Sequence, residues 1–221
     1  MTREPLPPPL PPETRTVGQL VAESLRLYGR RVWPSLALGL AVVIVNQVSA
    51  GRSTLTQALV LAAAAPLMAA AYTGASALVG GVTLEPATTV KAVVIGALVF
   101  VPAAFLSLVY VLPAVAWLAL VGLVVPVLVI ERLPVGAALR RAAALGRADY
   151  LHAFGSLATL VVLFGLVKLT LVLLLRDLGD SGERVALGLA DLVLSPLLFL
   201  GAALLYVDQA ARAAVRSRPA T

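Results

Sequence analysis

The sequence predicts an all-α polytopic membrane protein with six transmembrane helices and two cytoplasmic amphipathic helices. Three observations predict it. Hydrophobic residues make up 60% of the chain and charged residues only 13%, against about 45–50% and about 25% in soluble domains. A water-soluble fold of this length could not hide so much apolar surface, and a bilayer removes the need. The apolar residues also fall into runs near the ~20 residues that cross a hydrocarbon core, and the basic residues sort to one side of those runs.

Taken in order, residues 1–15 read MTREPLPPPLPPETR. Proline fixes φ and has no N–H to donate, so this tail is expected to be disordered or polyproline II. No apolar stretch follows its first charges, so it does not read as a cleaved signal peptide. Residues 16–212 form one helical membrane domain, and 213–221 a cytoplasmic tail. Residues 16–32 are the first amphipathic helix. Thr16 and Gln19 fit a capping box. Val17, Leu20, Val21, Leu25, Tyr28 and Val32 recur at helical spacing, with Gln19, Glu23, Arg26 and Arg30 on the other face. Such a helix either lies in the membrane interface or packs on the rest of the protein.

The spans are expected at 34–50, 57–79, 90–110, 114–130, 152–175 and 185–207. The run 89–130 is almost unbroken. As one helix it would extend ~63 Å at about 1.5 Å per residue, twice the ~30 Å core, so it must turn back. Pro113 marks the turn, with Tyr110 and Trp117 at the interface. Residues 134–149 form the second amphipathic helix. Pro134 opens it, Ala138, Leu139, Ala142 and Leu145 line one side, and Arg140, Arg141 and Arg147 make a cationic surface.

Charge placement tests this topology. With the N-terminus in the cytoplasm, six spans leave thirteen basic residues inside and three outside (Arg52, Arg176 and Arg184), with Lys168 inside a span. Merging the third and fourth spans would leave eight on each side. The positive-inside rule selects six spans and two cytoplasmic termini. Arginine outnumbers lysine fifteen to two, a bias that suggests a GC-rich bacterial genome and hence a bacterial plasma membrane.

The chain has no cysteine and one histidine, His152. That excludes disulfides, thiolate nucleophiles and histidine- or cysteine-rich metal sites. No G-x-S-x-G, H-E-x-x-H or Walker motif occurs, so neither an enzyme nor a cofactor is expected. The net charge of +6 comes from residues flanking apolar runs. It points to anionic lipid headgroups, and to membrane or cytoplasmic proteins, rather than to nucleic acid.

Lys168 and Asp191 are the most informative charges. Lys168 lies seven residues before the end of the fifth span and Asp191 six after the start of the sixth. In an antiparallel hairpin they share a depth, and a lone ion there is costly. They are expected to pair, either as a structural clasp or as an ion step in transport. Asn46, Gln47, Tyr72, Thr73 and Ser76 are expected to hydrogen-bond between helices. Pro66, Pro102, Pro126 and Pro196 are expected to kink their spans. Glu131, beside Arg132, reads as a satisfied interfacial charge.

Three stretches carry a family resemblance: TVGQLVAESLRLYGRRVWP at 16–34, VPVLVIERLPVGAALRRA at 125–142, and PLLFLGAALLYVDQAAR at 196–212. Together they resemble the bacterial family that includes the membrane domain of glycerophosphoryl diester phosphodiesterases and its stand-alone relatives. That family has an amphipathic N-terminal helix, a Glu…Ala-Leu-x-Arg-Ser segment and a closing Tyr-x-Asp-x-x-x-Arg pattern. Glu131, Ala138, Leu139 and Arg141 match the segment, with Ala142 where serine is common. Tyr206, Asp208 and Arg212 match the close. The resemblance implies a polytopic, non-enzymatic protein, because the catalytic barrel of the fused relatives is a separate domain. It leaves two readings: a membrane scaffold working through lipid-facing Arg26, Arg30, Arg140, Arg141 and Arg147, or a small transporter or permease component using the Lys168–Asp191 pair.

Overall fold

A computed structural model describes residues 11–175 and 179–216, and every regular element among them is helical. Residues 1–10 of the proline-rich tail, Arg176, and residues 217–221 of the C-terminal tail lie outside the described residues. A 3-10 turn, Pro12–Thr14, leads to α1, Val17–Arg30. Then come α2, Val32–Ser49; α3, Thr54–Ala63; α4, Ala65–Gly80; and α5, Pro86–Leu106. The helix α6, Val111–Val121, continues through a short α7, Val124–Pro126, into a π turn, Val127–Glu131. Beyond it lie α8, Val135–Ala148; α9, Tyr150–Leu175; and α10, Gly179–Arg216.

Five stretches are long and apolar enough to cross a membrane: α2, α5, Val111–Glu131, α9 and Gly182–Arg216. The α3–α4 pair qualifies only as a unit bent by 56°. The chain is therefore an all-helical protein of the multi-pass membrane type. The bend falls where Pro66 sits in the first turn of α4. Proline has no N–H for the carbonyl at Ala62 and its ring collides with that group, so the helix breaks.

The turn inside the long apolar run lies at residues 107–110, not at Pro113. Pro113 belongs to the first turn of α6, where its missing N–H would have had no helical partner anyway. Tyr110 is 70% exposed at this corner, and Trp117 Nε1 donates to the Val99 carbonyl at 2.9 Å, tying α6 to α5.

α10 is the axis of the bundle and packs on α1, α2, α4, α8 and α9. Small residues allow the close approach. A Cβ on Gly39 would stand 2.3 Å from the Leu192 carbonyl oxygen, so α2 and α10 touch backbone to backbone there. The larger core joins Leu38, Tyr72, Val99, Leu123, Phe199 and Leu200. A second cluster of Leu20, Ala119, Ala153, Leu160, Leu204 and Leu205 seats α1 against α6, α9 and α10. In α9 only Ala153, Ser156 and Leu160 are buried, while Leu163, Leu166, Leu169, Leu173 and Leu174 are exposed. A leucine face of that length would not be left in water.

The Thr16–Gln19 capping box is present in both directions. Of the expected apolar face of α1, Leu20 is buried while Leu25 is 52% exposed, because α1 presents Leu20 and Ser24 to α10 and α9. In α8 the buried set is Ala138, Ala142, Leu145 and Gly146. Leu139 lies off that i, i+4, i+7, i+8 stripe and is exposed, contrary to the face drawn from sequence.

Gly39→Ala should lower the thermal midpoint in detergent, equivalent to ~1–3 kcal/mol of overpacking. Gly155→Ala, with nothing within 4 Å of its added Cβ, should leave it unchanged or higher. Equal midpoints for the two variants would refute the backbone contact.

Candidate functional site: polar clusters at both ends of α10

α10 carries a buried carboxylate near each end, Asp191 and Asp208. They are ~25 Å apart along the helix at about 1.5 Å per residue. A carboxylate held away from water needs a cation or several donors, and each of these finds them on other segments of the chain.

At Asp191, Lys168 Nζ of α9 stands 2.8 Å from Oδ1. Asn46 Nδ2 of α2 donates to Oδ2 at 2.7 Å. The Lys168 ammonium also lies 5.7 Å from the centre of the Phe164 ring, a cation–π distance. Gln47 Nε2 donates to the Arg184 carbonyl at 2.9 Å and occupies the space over Gly188 that a Cβ would fill. Asn46, Gln47, Gln57, Lys168, Arg184 and Asp191 line a cleft of about 240 Å³. The two amides flank the pair, and Asn46 joins it directly.

At the other end, Asp208 is fully buried and its Oδ1 accepts from Arg15 Nη1 at 2.6 Å. One turn on, Arg212 pairs with Asp149 at 3.1 Å and donates to the Arg15 carbonyl at 2.8 Å. Arg216 reaches the same Asp149 carboxylate and the Ala148 carbonyl. Gln209 donates to the Asp149 carbonyl at 3.2 Å. Before Asp208, the Tyr206 hydroxyl donates to Glu131 Oε1 at 2.7 Å, and Arg141 Nε lies 3.3 Å from the same oxygen. Glu131 is thus satisfied by Tyr206 and Arg141 rather than by its neighbour Arg132. That residue adopts a left-handed backbone, φ 53°, where the π turn ends, and its guanidinium meets Glu85 at 2.6 Å.

The structure therefore gathers Glu131, Arg141 and Tyr206 on one oxygen, and sets Asp208 and Arg212 one turn beyond. The five arginines of the expected lipid-facing surface divide. Arg26 pairs with Glu23 and Arg141 with Glu131, while Arg30, Arg140 and Arg147 are exposed. Sequence reasoning missed Arg15, assigned to the tail, and Asp149, which had no assigned role. The signal for the first was Asp208 itself: an acid in an apolar helix demands a counter-charge, but nothing local says from where.

Between the clusters lies a chamber of about 170 Å³ lined by apolar side chains such as Met68, Phe100, Leu118 and Phe199. Tyr72 is the one polar side chain of that lining, and its hydroxyl donates to the Ala202 carbonyl at 3.4 Å, between α4 and α10. Ser76 bonds within its own helix, to the Tyr72 carbonyl. Among the described residues no group of three or more histidines and acids is placed to hold a metal ion. These contacts, chemically, hold segments together.

No family model, curated protein or solved structure matches the chain.

Removing one partner of a buried pair strands the other charge. Lys168→Met and Asp191→Asn should each lower folded yield in detergent, and the double variant should recover part of the loss. Strictly additive losses would show that the pair is not coupled. Arg15→Ala should destabilise by ~3–5 kcal/mol in detergent unfolding, while exposed Arg147→Ala should have little effect.

Proposed function

We propose that the chain is a non-enzymatic integral membrane protein of the glycerophosphodiesterase membrane-domain type. It crosses a bacterial plasma membrane six times, keeps both termini in the cytoplasm, and works as a scaffold that holds lipid or protein partners on its basic face. One observation carries this reading. Arg15 pairs with Asp208, Arg212 with Asp149, and Glu131 takes both Arg141 and Tyr206. They bind the N-terminal strap, α8 and the ends of the π turn and α10 into one fixed platform. The exposed Arg30, Arg140 and Arg147 remain for partners. The six-span count is supported by the α3–α4 pair acting as one bent span and by the sorting of arginines.

A transporter or permease component is the second reading, favoured by the cleft at Lys168 and Asp191. It ranks lower because the chamber between the two clusters is apolar, whereas a translocation path presents polar groups at mid-depth.

Reporter tags at the two ends should both read the cytoplasm, and opposite compartments would end the six-span reading. Proteoliposomes holding the purified chain should retain proton and sodium gradients as well as empty ones. A leak abolished by Lys168→Met would replace the scaffold by the transporter.

A further inference from the structure

The α1–α2 corner and the loop joining α4 to α5 enclose a groove that none of the contacts above uses. Its volume is about 290 Å³, and Arg31, Pro34, Leu38, Leu78, Val82 and Leu84 are among its lining residues. Both walls are held in place. On one side the Arg31 backbone N–H donates to the Leu27 and Tyr28 carbonyls. On the other, Gly81 takes a left-handed φ of 61°, Val82 N–H returns to the Ala77 carbonyl at 3.1 Å, and Arg132 clamps the loop through Glu85 and the Thr83 carbonyl. The floor is closely packed at Gly74, where a Cβ would stand 3.0 Å from a Leu38 methyl.

Arg31 is the one charged residue of that lining, and Arg30 precedes it. Both are exposed, and neither guanidinium has a partner among the described residues. The nearby acid, Glu85, is taken by Arg132. Trp33 follows at 82% exposure, an aromatic of the kind that sits at headgroup level. The groove is thus apolar along its walls and carries unneutralised positive charge. A guanidinium suits a phosphate, which it can hold bidentately, and Arg30, the preceding residue, adds a second positive charge near the groove. A free phosphate in water would leave the apolar walls wet. An uncharged or zwitterionic lipid would leave the arginines without a counter-charge.

We propose that this groove binds one anionic glycerophospholipid of the cytoplasmic leaflet, its phosphate on Arg31 within the field of Arg30 and an acyl chain along Pro34, Leu38 and Leu78. The leaflet rests on the six-span reading, and the site itself does not.

The full-length chain, purified in detergent, would be titrated with phosphatidylglycerol and with phosphatidylcholine and read by native mass spectrometry. Phosphatidylglycerol should add one saturable copy, and phosphatidylcholine should bind at least about fivefold more weakly, as one unit of headgroup charge predicts. Arg30→Gln with Arg31→Gln should weaken the anionic lipid about thirtyfold, from two such contributions. Arg140→Gln with Arg147→Gln, the same charge loss on α8, should leave it unchanged. Leu84→Trp, which fills the groove from an exposed position and keeps both arginines, should block binding. Excess glycerol phosphate should not displace the lipid. Equal loss from the α8 pair, equal binding of phosphatidylcholine, or displacement by glycerol phosphate would each overturn the proposal. A micelle has no leaflets, so failure to bind would leave the six-span reading untouched, and tags in opposite compartments would leave the site untouched.

Discussion

A polar group in hydrocarbon must find its partner inside the protein, because the solvent offers none. The placement of nearly every charged side chain near the bundle follows from this. Asp191 draws Lys168 and Asn46 from different helices, and Asp208 draws Arg15 from the start of the chain. Between these two points α10 shows mainly leucine, alanine and glycine to its neighbours, and the backbones close to contact at Gly39 and Leu192. Apolar packing has no preference between lipid and protein in such a setting. The paired carboxylates and the small-residue contacts therefore decide which helices meet.

The same constraint explains the uneven exposure of the helices. α9 turns leucines outward along most of its length, and its inward contacts reduce to a few small residues and the lysine. Val111–Glu131 is the reverse, with Ala114, Val115, Ala119 and residues 123–129 all buried, and it ends in a π turn whose last residue, Glu131, is shared by Tyr206 and Arg141. Irregular backbone at this depth is tolerated because it is enclosed by protein.

How far the amino-acid pattern reveals this arrangement depends on the range of the signal. Long apolar helices follow from hydropathy and length, but the last one, expected to end at 207, runs on to Arg216 through residues 213–216 of the expected tail. The meeting of Lys168 and Asp191 follows from equal depth in a hairpin, an argument needing only the two ends of a short loop. The break between α3 and α4 was visible only as Pro66, because the surrounding alanines are equally apolar on both sides of it. The corner at 107–110 has no charged residue to mark it, so proline drew attention to a point a few residues too late. Leu139 looked buried because helical spacing admits more than one stripe, and only tertiary contact chooses. Arg15 and Asp149 could not be found locally: their partners lie 193 and 63 residues away, and nothing near them announces a burial.

That 193-residue separation bears on how the molecule is made. Arg15 leaves the ribosome 193 residues before Asp208. Until Asp208 is made, Arg15 lacks the carboxylate it meets in the folded chain, and the helices that pack on α10 lack their common partner. Chains cut short before α10 should therefore leave uncovered the faces of α1, α2, α4, α8 and α9 that pack on it.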